Sequence, residues 1–247
     1  MIDRDLHIHT TFCDGKNSAE EMVLAAIDRG LKTIGFSSHS YLPFDNACMK
    51  EDVVEDYIQE IRRLKVKYQD QIEILLGIEK DYYSKLDTSV FDYVIGSVHF
   101  IRMGDDHVCV DYDLPRLKEM VEKHFAGDYL AYAEKYYELA GDLKDIDIVG
   151  HFDLVTKFNE QEMLIDTNDC RYINAYQKAA AKLISRGVIF EINTGAISRG
   201  YRTSPYPARE IIDYIKEKGG RLMLNSDAHQ KENIAYLFDK YEKLLSR

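Results

Sequence analysis

Short apolar runs alternate with longer amphipathic segments along most of the chain. The apolar runs are rich in Ile, Val and Leu, and several are continuously apolar, which is typical of parallel strands buried on both faces. The pattern predicts seven strands, at residues 2–8, 33–37, 72–78, 93–98, 146–150, 188–192 and 221–225.

The segments between these runs carry apolar residues every three or four positions, as amphipathic helices do. Ser18 and Glu21 form a capping box at the start of the first helix, which ends near Gly30. Gly187 and Gly219 also follow predicted helices, as is typical of the residue just past a helix C-terminus. The remaining predicted helices span residues 51–68, 114–125, 128–140, 168–185, 208–218 and 232–245.

The repeated order of strand, helix and strand predicts a parallel sheet with right-handed crossovers. Seven strands are one fewer than the usual α/β barrel contains. We therefore expect a distorted seven-stranded (β/α)7 TIM-like barrel that forms a single domain over residues 1–247. The alternative is an open doubly wound sheet. No GxGxxG follows the first strand, which removes the commonest nucleotide-binding version of that alternative.

Histidine, aspartate and glutamate side chains, the types that commonly bind metal ions, recur where the predicted strands end. We call them metal-type side chains. Six of the eight histidines lie at or just after a strand C-terminus, and acidic residues share those positions. Because the carboxyl ends of parallel barrel strands open onto one face, we expect these residues to meet at one mouth. They are His7, His9, Asp14, His39, Glu79, His99, His151, Asp227 and His229.

This combination of residue types predicts a metal site. His7 and His9 are two apart on a strand, so their side chains point the same way. Imidazole and carboxylate together suit Zn, Mn and Fe ions. Each residue alone is weak evidence, but six of the seven predicted strands contribute one at the same end. Cys13 lies among them, and we expect a packed thiol there, with a thiolate ligand as the alternative.

Composition limits the class of protein further. The hydrophobic fraction of 45% and the charged fraction of 30% are those of a soluble globular protein. A net charge of −11 argues against a broad nucleic-acid surface. No run approaches about 18 apolar residues, so we expect no membrane span. Four scattered cysteines without a CxxC pair predict reduced thiols and a cytoplasmic location.

The segments around the metal-type residues resemble the PHP superfamily, named for polymerase and histidinol phosphatase. DLHIHTTFCDG at residues 5–15 is similar to the first motif of that family, and SSHS around His39 is similar to the second. The further matches are GIEKDY around Glu79 and SVHF around His99 for the third motif, NSDAH at residues 225–229 for the fourth, and GHFDL around His151 for the remaining ligand position.

The resemblance implies a distorted seven-stranded barrel that holds two or three divalent transition-metal ions at its mouth. It implies three ligand sets: His7, His9, Glu79 and Asp227 for one ion; Glu79, His99 and His151 for a second, with Glu79 bridging the two; and Asp14, His39 and His229 for a third.

Two stretches resemble the histidinol phosphatases within this superfamily, namely GSVHFI at residues 96–101 and EINTGAISRGYRTSPYP at residues 191–207. The implied reaction is hydrolysis of L-histidinol phosphate to L-histidinol and phosphate, a step of histidine biosynthesis. Relatives often have Ser-Gly after the Asn-Thr pair, where this chain has Gly195 and Ala196, and many have histidine in place of Asp14. Both departures leave room for a different substrate.

Two arginines follow the sixth predicted strand, which supplies no obvious metal ligand. The guanidinium groups of Arg199 and Arg202 are candidates for binding phosphate in bidentate fashion. The alternative is a solvated loop with incidental charge. Tyr201, Tyr206 and Phe100 are candidates for lining an imidazole pocket, although aromatic residues near a barrel mouth often serve packing alone.

The implied mechanism is attack of a metal-activated water on phosphorus. Glu79, as the bridging carboxylate, and His229 are expected to contribute to catalysis. Asp227 is a candidate for protonating the leaving alkoxide, and a water molecule is the alternative.

Three rival functions remain open. The first is a PHP phosphatase or phosphodiesterase that acts on phosphotyrosine, nucleotides or nucleic-acid ends. The second is a metal-dependent amidohydrolase-like enzyme, for which Lys80 is the nearby candidate for a metal-bridging lysine. The third is a non-catalytic metal-binding protein, against which the complete ligand set argues. The oligomeric state is left open.

Overall fold

A computed structural model describes residues 2–246 of the chain. Seven parallel strands form one sheet in the order β1-β2-β3-β4-β7-β8-β9, and β5 and β6 form a separate antiparallel pair. The strands are β1 (Arg4–Asp5), β2 (Thr33–Phe36), β3 (Glu73–Asp81), β4 (Tyr93–Ser97), β5 (Phe100–Met103), β6 (Asp106–Cys109), β7 (Ile148–Val149), β8 (Ile189–Asn193) and β9 (Arg221–Asn225).

The two edges of the sheet meet just beyond β1 and β9. Ile8 bridges Ala228 in parallel fashion. The His9 amide donates to the Ala228 carbonyl at 2.9 Å, and the Ala228 amide donates to the His7 carbonyl at 3.1 Å. The sheet is therefore a nearly closed barrel. The prediction of a seven-stranded parallel barrel is confirmed, and the open doubly wound sheet is excluded.

Helices connect most of the strands. The capping box predicted at the first helix is present, with Ser18 and Glu21 each accepting from the other's backbone amide. Gly30, Gly187 and Gly219 all have φ of +75° just beyond helices, as predicted for residues that end them. The α-helices are α1 (Ala19–Asp28), α2 (Val54–Lys67), α3 (Leu114–Phe125), α4 (Tyr129–Asp142), α5 (Cys170–Ser185), α6 (Gly195–Ser198), α7 (Arg209–Glu217) and α8 (Phe238–Tyr241).

Several predicted elements are shorter than the pattern indicated, among them the strand at residues 146–150, which is regular only in β7. The strand predicted at residues 2–8 is regular only in β1, although residues 7–9 still form backbone hydrogen bonds with Ser37 and Ala228 on either side. The helix predicted at residues 232–245 was wrong as a continuous element. Ala235 and Leu237 adopt left-handed backbone with φ of +53° and +57°, which interrupts any helix there.

The hairpin of β5 and β6 was not predicted. Its residues pair antiparallel from Phe100 with Cys109 to Met103 with Asp106. Gly104, with φ of +66°, lies in the connecting turn. The hairpin stands beside the barrel mouth, directly after β4.

The barrel interior below the mouth is an apolar cluster centred on the ring of Tyr93. Tyr93 is buried, and its hydroxyl donates to the Leu6 carbonyl at 2.6 Å. A Cβ at Gly35 or Gly77 would come within 2.4 Å of this side chain, so both strands need glycine there. Ile95 and Ile148 complete this interior cluster. The barrel is thus a packed core below and a polar site above.

Larger apolar clusters lie between the barrel and its helices, one mainly under α1 and α2 and one mainly under α3, α4 and α5. Within residues 2–246, no helix has the length and apolar content that crossing a membrane requires. The four cysteines, all in the described part of the chain, are free thiols, in agreement with the prediction.

Candidate metal centre at the barrel mouth

The structure brings all nine predicted metal-type residues to one end of the barrel. Each follows a strand or lies in its last residues, so the parallel strand order places them around one opening. The set comprises His7, His9 and Asp14 after β1, His39 after β2, Glu79 on β3, His99 after β4, His151 after β7, and Asp227 and His229 after β9.

Glu79 lies at the centre of the cluster and is 1% exposed. Its Oε2 atom is 2.9 Å from His39 Nδ1, 3.4 Å from His7 Nε2 and 3.5 Å from His9 Nε2. One carboxylate oxygen therefore faces imidazoles that follow two different strands.

The other oxygen of Glu79 faces the opposite side of the mouth. Its Oε1 atom is 3.0 Å from His151 Nε2 and 3.5 Å from His99 Nε2. Ser97, on the neighbouring strand, donates its hydroxyl to the same oxygen at 2.6 Å. A carboxylate with imidazoles on both sides has the geometry of a bridge between two ligand sets.

Several polar atoms in this cluster are buried without a hydrogen-bond partner. Among the described residues, His7 Nε2, His9 Nε2 and Glu79 Oε2 make no hydrogen bond. Ligand atoms of these three residues lie within 4.8 Å of one another. Because a buried polar atom without a partner is costly, three lone-pair atoms that converge on one volume fit a bound cation.

A second group of ligand atoms lies nearer to solvent. Asp14 Oδ2 is 3.3 Å from His229 Nε2, and Asp14 Oδ1 is 3.7 Å from His39 Nε2 and 3.8 Å from His9 Nδ1. A Cβ at Gly15 would come within 2.7 Å of the Thr10 backbone, so glycine allows the loop to carry Asp14 back over the mouth. Atoms of these ligands also lie within 4.8 Å of one another.

Asp227 connects the metal-type residues to an arginine. Its Oδ1 is 3.2 Å from His9 Nε2 and 3.7 Å from His7 Nε2. Its Oδ2 accepts from Arg199 Nη2 at 2.9 Å. The backbone of Asp227 is left-handed, with φ of +52°, a conformation that aspartate tolerates better than most residues.

The electrostatics of the mouth favour charged carboxylates. Burial acts to raise the pKa of Glu79, but His39, His7 and His99 outweigh it and hold the pKa well below its usual range. Burial is likewise outweighed at Asp227, where Arg199 and His7 keep the pKa well below normal. These groups are therefore anionic at neutral pH, as metal ligands must be.

A lowered pKa makes His9 neutral, whereas it makes the carboxylates anionic. Burial, together with the nearby imidazoles of His229 and His39, lowers the pKa of His9 to about 3. A neutral imidazole keeps a lone pair that can bind a metal. Cys13 Sγ lies 3.5 Å from His9 Nδ1, and Cys13 belongs to none of the candidate metal groups among the described residues.

The two predicted phosphate-binding arginines have different surroundings. Arg199 lines the mouth and reaches Asp227 and His229 Nδ1, the latter at 2.9 Å. Arg202 is buried, and its guanidinium lies 3.5 Å from Asp153 and donates to Thr156 at 3.0 Å. These contacts favour a structural position for Arg202, because it does not line the cavity above the metal-type residues.

That cavity has a volume of about 620 Å³. Its wall includes Phe100, Tyr201 and Tyr206, the aromatic residues proposed from the sequence. It also includes Lys157 and Asp111, whose side chains pair at 3.2 Å. The cavity therefore offers rings and both signs of charge above the metal-type cluster.

Two carboxylates near the site were not among the residues predicted from the sequence. Asp81 accepts from the His99 amide at 2.9 Å and lies 3.4 Å from its Nδ1. Glu191 accepts from His7 Nδ1 at 2.6 Å. Both lie within the last three residues of their strands, β3 and β8, and this position was the signal that identified Glu79.

Lys80 does not reach the mouth. Adjacent residues on a strand point to opposite faces, so Glu79 faces inward while Lys80 lines an outer groove with Asp142 and Leu143. A bridging lysine, which the amidohydrolase-like alternative requires, is therefore not supplied by this residue.

Seven parallel strands with imidazoles and carboxylates converging at their carboxyl-terminal mouth define an α/β-barrel protein with a candidate metal centre. More specifically, the chain belongs to the PHP family, because the PHP domain matches residues 5–195. That range includes every clustered residue except Asp227 and His229.

Relatives and solved structures agree with this assignment. The chain is 28% identical to the histidinol-phosphatase of Bacillus subtilis (strain 168), over 98% of each chain. The crystal structure of HisK from Listeria monocytogenes has a TM-score of 0.79 at 22% identity, covering 96% of this chain and 99% of that one. Histidinol phosphate phosphatase of Lactococcus lactis, crystallised with Zn, L-histidinol and phosphate, has a TM-score of 0.73 at 24% identity, covering 98% and 92%. The protein is thus a metal-dependent phosphatase of the PHP type.

Proposed function

We propose that the protein hydrolyses L-histidinol phosphate to L-histidinol and phosphate at a centre of up to three divalent ions. The observation that carries the proposal is the convergence of nine metal-type side chains, with Glu79 at their centre, beneath a cavity of about 620 Å³. The choice of substrate is supported by the Bacillus subtilis and Lactococcus lactis histidinol phosphatases that this chain resembles.

The residues that would hold the ions fall into three sets, the first two of which share Glu79. They are His7, His9, Glu79 and Asp227 for the first ion, Glu79, His99 and His151 for the second, and Asp14, His39 and His229 for the third. Imidazole and carboxylate ligands suit Zn, Mn or Fe. When bound, such ions neutralise phosphate charge and lower the pKa of water, which supplies the nucleophile.

Asp227 is suited to handle protons beside the reacting phosphate. Its pKa is held low by Arg199 and His7 against the effect of burial, so it begins the reaction ionised. We propose that its carboxylate accepts a proton from the attacking water and returns it to the leaving alkoxide. His229, whose Nδ1 is 3.4 Å from Asp227 Oδ1, orients this carboxylate.

The cavity wall provides groups that match the remainder of the substrate. Arg199 is the cation nearest to the metal-type cluster and is 30% exposed, so it can turn toward a phosphate oxygen. Asp111 lies on the wall with 26% of its side chain exposed and suits the ammonium group of histidinol. Phe100, Tyr201 and Tyr206 offer ring faces and edges to the imidazole.

We further propose that residues 1–247 act as one catalytic domain. The last strand and its two metal-type residues lie beyond the segment matched to the PHP domain, so the match alone does not cover the site. The free cysteines support a cytoplasmic location, where thiols stay reduced.

A panel of phosphoesters tests the substrate. The metal-loaded protein should hydrolyse L-histidinol phosphate with a kcat/KM at least about tenfold above phosphotyrosine, nucleotides and sugar phosphates, since one lost charged contact alone is worth about 1.5–3 kcal/mol. A uniform rate across the panel would contradict the substrate and leave the phosphatase class intact. A preference for a diester would instead favour the phosphodiesterase alternative.

A further inference from the structure

Strand β8 contributes none of the predicted metal ligands, yet it carries the most heavily bonded carboxylate of the site. Glu191 is fully buried. Its Oε1 accepts from His7 Nδ1 at 2.6 Å and from Asn225 Nδ2 at 2.9 Å. Its Oε2 accepts from the His151 amide at 2.9 Å and from Asn193 Nδ2 at 2.8 Å. All four donors are protein groups, so the carboxylate uses both of its oxygens within the barrel.

These donors come from four different parts of the mouth. His7 follows β1, His151 follows β7, Asn193 ends β8, and Asn225 ends β9. Asn225 also accepts from the Leu6 amide at 3.0 Å, which ties β9 to the backbone next to His7. One carboxylate thus connects the strands on both sides of the point where the barrel closes.

The bond to His7 decides which nitrogen of that imidazole is available. A carboxylate accepts but cannot donate, so the proton of neutral His7 lies on Nδ1. The lone pair is then on Nε2, which faces Glu79 at 3.4 Å and Asp227 at 3.7 Å and makes no hydrogen bond among residues 2–246. Histidine ligands of metals are commonly oriented by such a bond to their second nitrogen.

A further bond extends the network to a second candidate ligand. Asn193 Nδ2 lies 3.3 Å from Asp227 Oδ2 as well as 2.8 Å from Glu191. Glu191 therefore acts directly on His7 and on the His151 backbone, and through Asn193 on Asp227.

We propose that Glu191 is a positioning residue. It sets the tautomer of His7, and it fixes the relative positions of three candidate metal ligands, His7, His151 and Asp227, where the barrel closes. The inference rests on the proposed metal centre and adds to it the reason why β8 carries a carboxylate without supplying a ligand. The inference does not depend on the identity of the substrate.

The test is the affinity for Zn and Mn of the Glu191→Gln variant, measured by competition with a chelator. Glutamine has one acceptor oxygen and one amide donor, so it cannot accept the four bonds that Glu191 accepts. We expect metal binding to weaken about 10- to 100-fold, as is typical when the hydrogen-bond partner of a ligand is removed. Binding as tight as in the wild type would overturn the proposal.

A matched variant separates positioning from a general loss of stability. Asp153→Asn removes another fully buried carboxylate, one whose partners are Arg202, Thr156 and the Ala208 amide. Thermal melts of both variants report any loss of stability, and only Glu191→Gln should lose metal affinity beyond it. An equal loss of affinity in both variants would overturn the proposal.

A second measurement needs no variant and decides the matter if Glu191→Gln fails to fold. In wild-type protein with ¹⁵N-labelled histidine and bound Zn, NMR should show His7 protonated at Nδ1 and metal-bound through Nε2. Protonation at Nε2 would overturn the inference. Wild-type protein that binds Zn but does not hydrolyse histidinol phosphate would contradict the proposed substrate alone.

Discussion

The barrel mouth and the tyrosine layer between α4 and α5 both bury polar atoms, but they do so in different ways. In the tyrosine layer, Tyr137 and Tyr172 join their hydroxyls at 2.9 Å. Rings pack edge to face around them, with Tyr136 5.4 Å from Tyr137 between centroids. Tyr132 Oη is buried without a hydrogen bond among the described residues, and it belongs to none of the groups of ligand atoms that could hold a metal ion.

At the mouth, the atoms without partners point into one shared volume. His7 Nε2, His9 Nε2 and Glu79 Oε2 converge there. Burial alone is therefore a poor guide to a site, because both regions are buried and both have polar groups. Convergence of lone pairs distinguishes a place built for a cation from an aromatic layer built for stability.

Removal of metal should have the largest effect of any change, and it should act through the mouth and not through the tyrosine layer. Dialysis against a chelator should abolish phosphatase activity, and added Zn or Mn should restore it. The melting temperature should also fall, since ions at 1,000 times their Kd stabilise the fold by about 4 kcal/mol. Metal analysis, activity and thermal melts measure these effects. Full activity in metal-free protein would show that the mouth is not a catalytic metal centre.

The next largest effect is expected from Glu79→Gln. It removes the charge at the centre of the cluster while keeping the size of the side chain, so both metal content and kcat should fall. We expect kcat/KM to decrease about 1,000-fold or more, equivalent to about 4 kcal/mol. Glu73→Gln is the matched control, because Glu73 lies on the same strand and its side chain accepts from Thr33 outside the site. Equal activities of the two variants would count against a central role for Glu79.

Arg199→Ala should have a smaller effect. Loss of a charge-assisted hydrogen bond to phosphate is worth about 1.5–3 kcal/mol, or roughly a 10- to 150-fold decrease in kcat/KM. Lysine should restore only part of this, since it keeps the charge without the planar fork. Metal content must be measured in parallel, because Arg199 also bonds to Asp227.

Wild-type kinetics in the Arg199→Ala variant would contradict a role in binding phosphate. If kinetics stay at the wild-type level, phosphate is held without this side chain. Arg209→Ala provides the surface control, since Arg209 is exposed and pairs with Asp213 one turn further along the same helix.

Tyr137→Phe should have the smallest effect and should act on the tyrosine layer alone. It removes the hydrogen bond to Tyr172 but keeps both rings packed. We expect a loss of about 0.5–1.5 kcal/mol in the free energy of unfolding, measured by denaturant titration. Metal content and kcat should not change. A fall in metal affinity would show that the two regions are coupled.

Most of the fold followed from patterns that the chain carries locally. Buried parallel strands must be apolar on both faces, so β2, β4, β8 and β9 stood out from their neighbours. The hairpin of β5 and β6 did not, because its exposed polar residues, such as Arg102 and Asp106, give a weak strand pattern. The helix expected near the C-terminus failed because propensity does not report the left-handed backbone at Ala235 and Leu237.

The sequence by itself determined the residue types of the candidate site and the end of the barrel where they lie. Each follows a strand, and strands in one parallel sheet share a direction. Only the tertiary structure decided which atoms face one another. Arg199 and Arg202 look alike in sequence, yet one borders the mouth and the other bonds to Asp153 in the interior. Glu191 gained its partners only when β1, β7 and β9 closed around β8, because hydrogen bonds between distant residues depend on packing that no local pattern records.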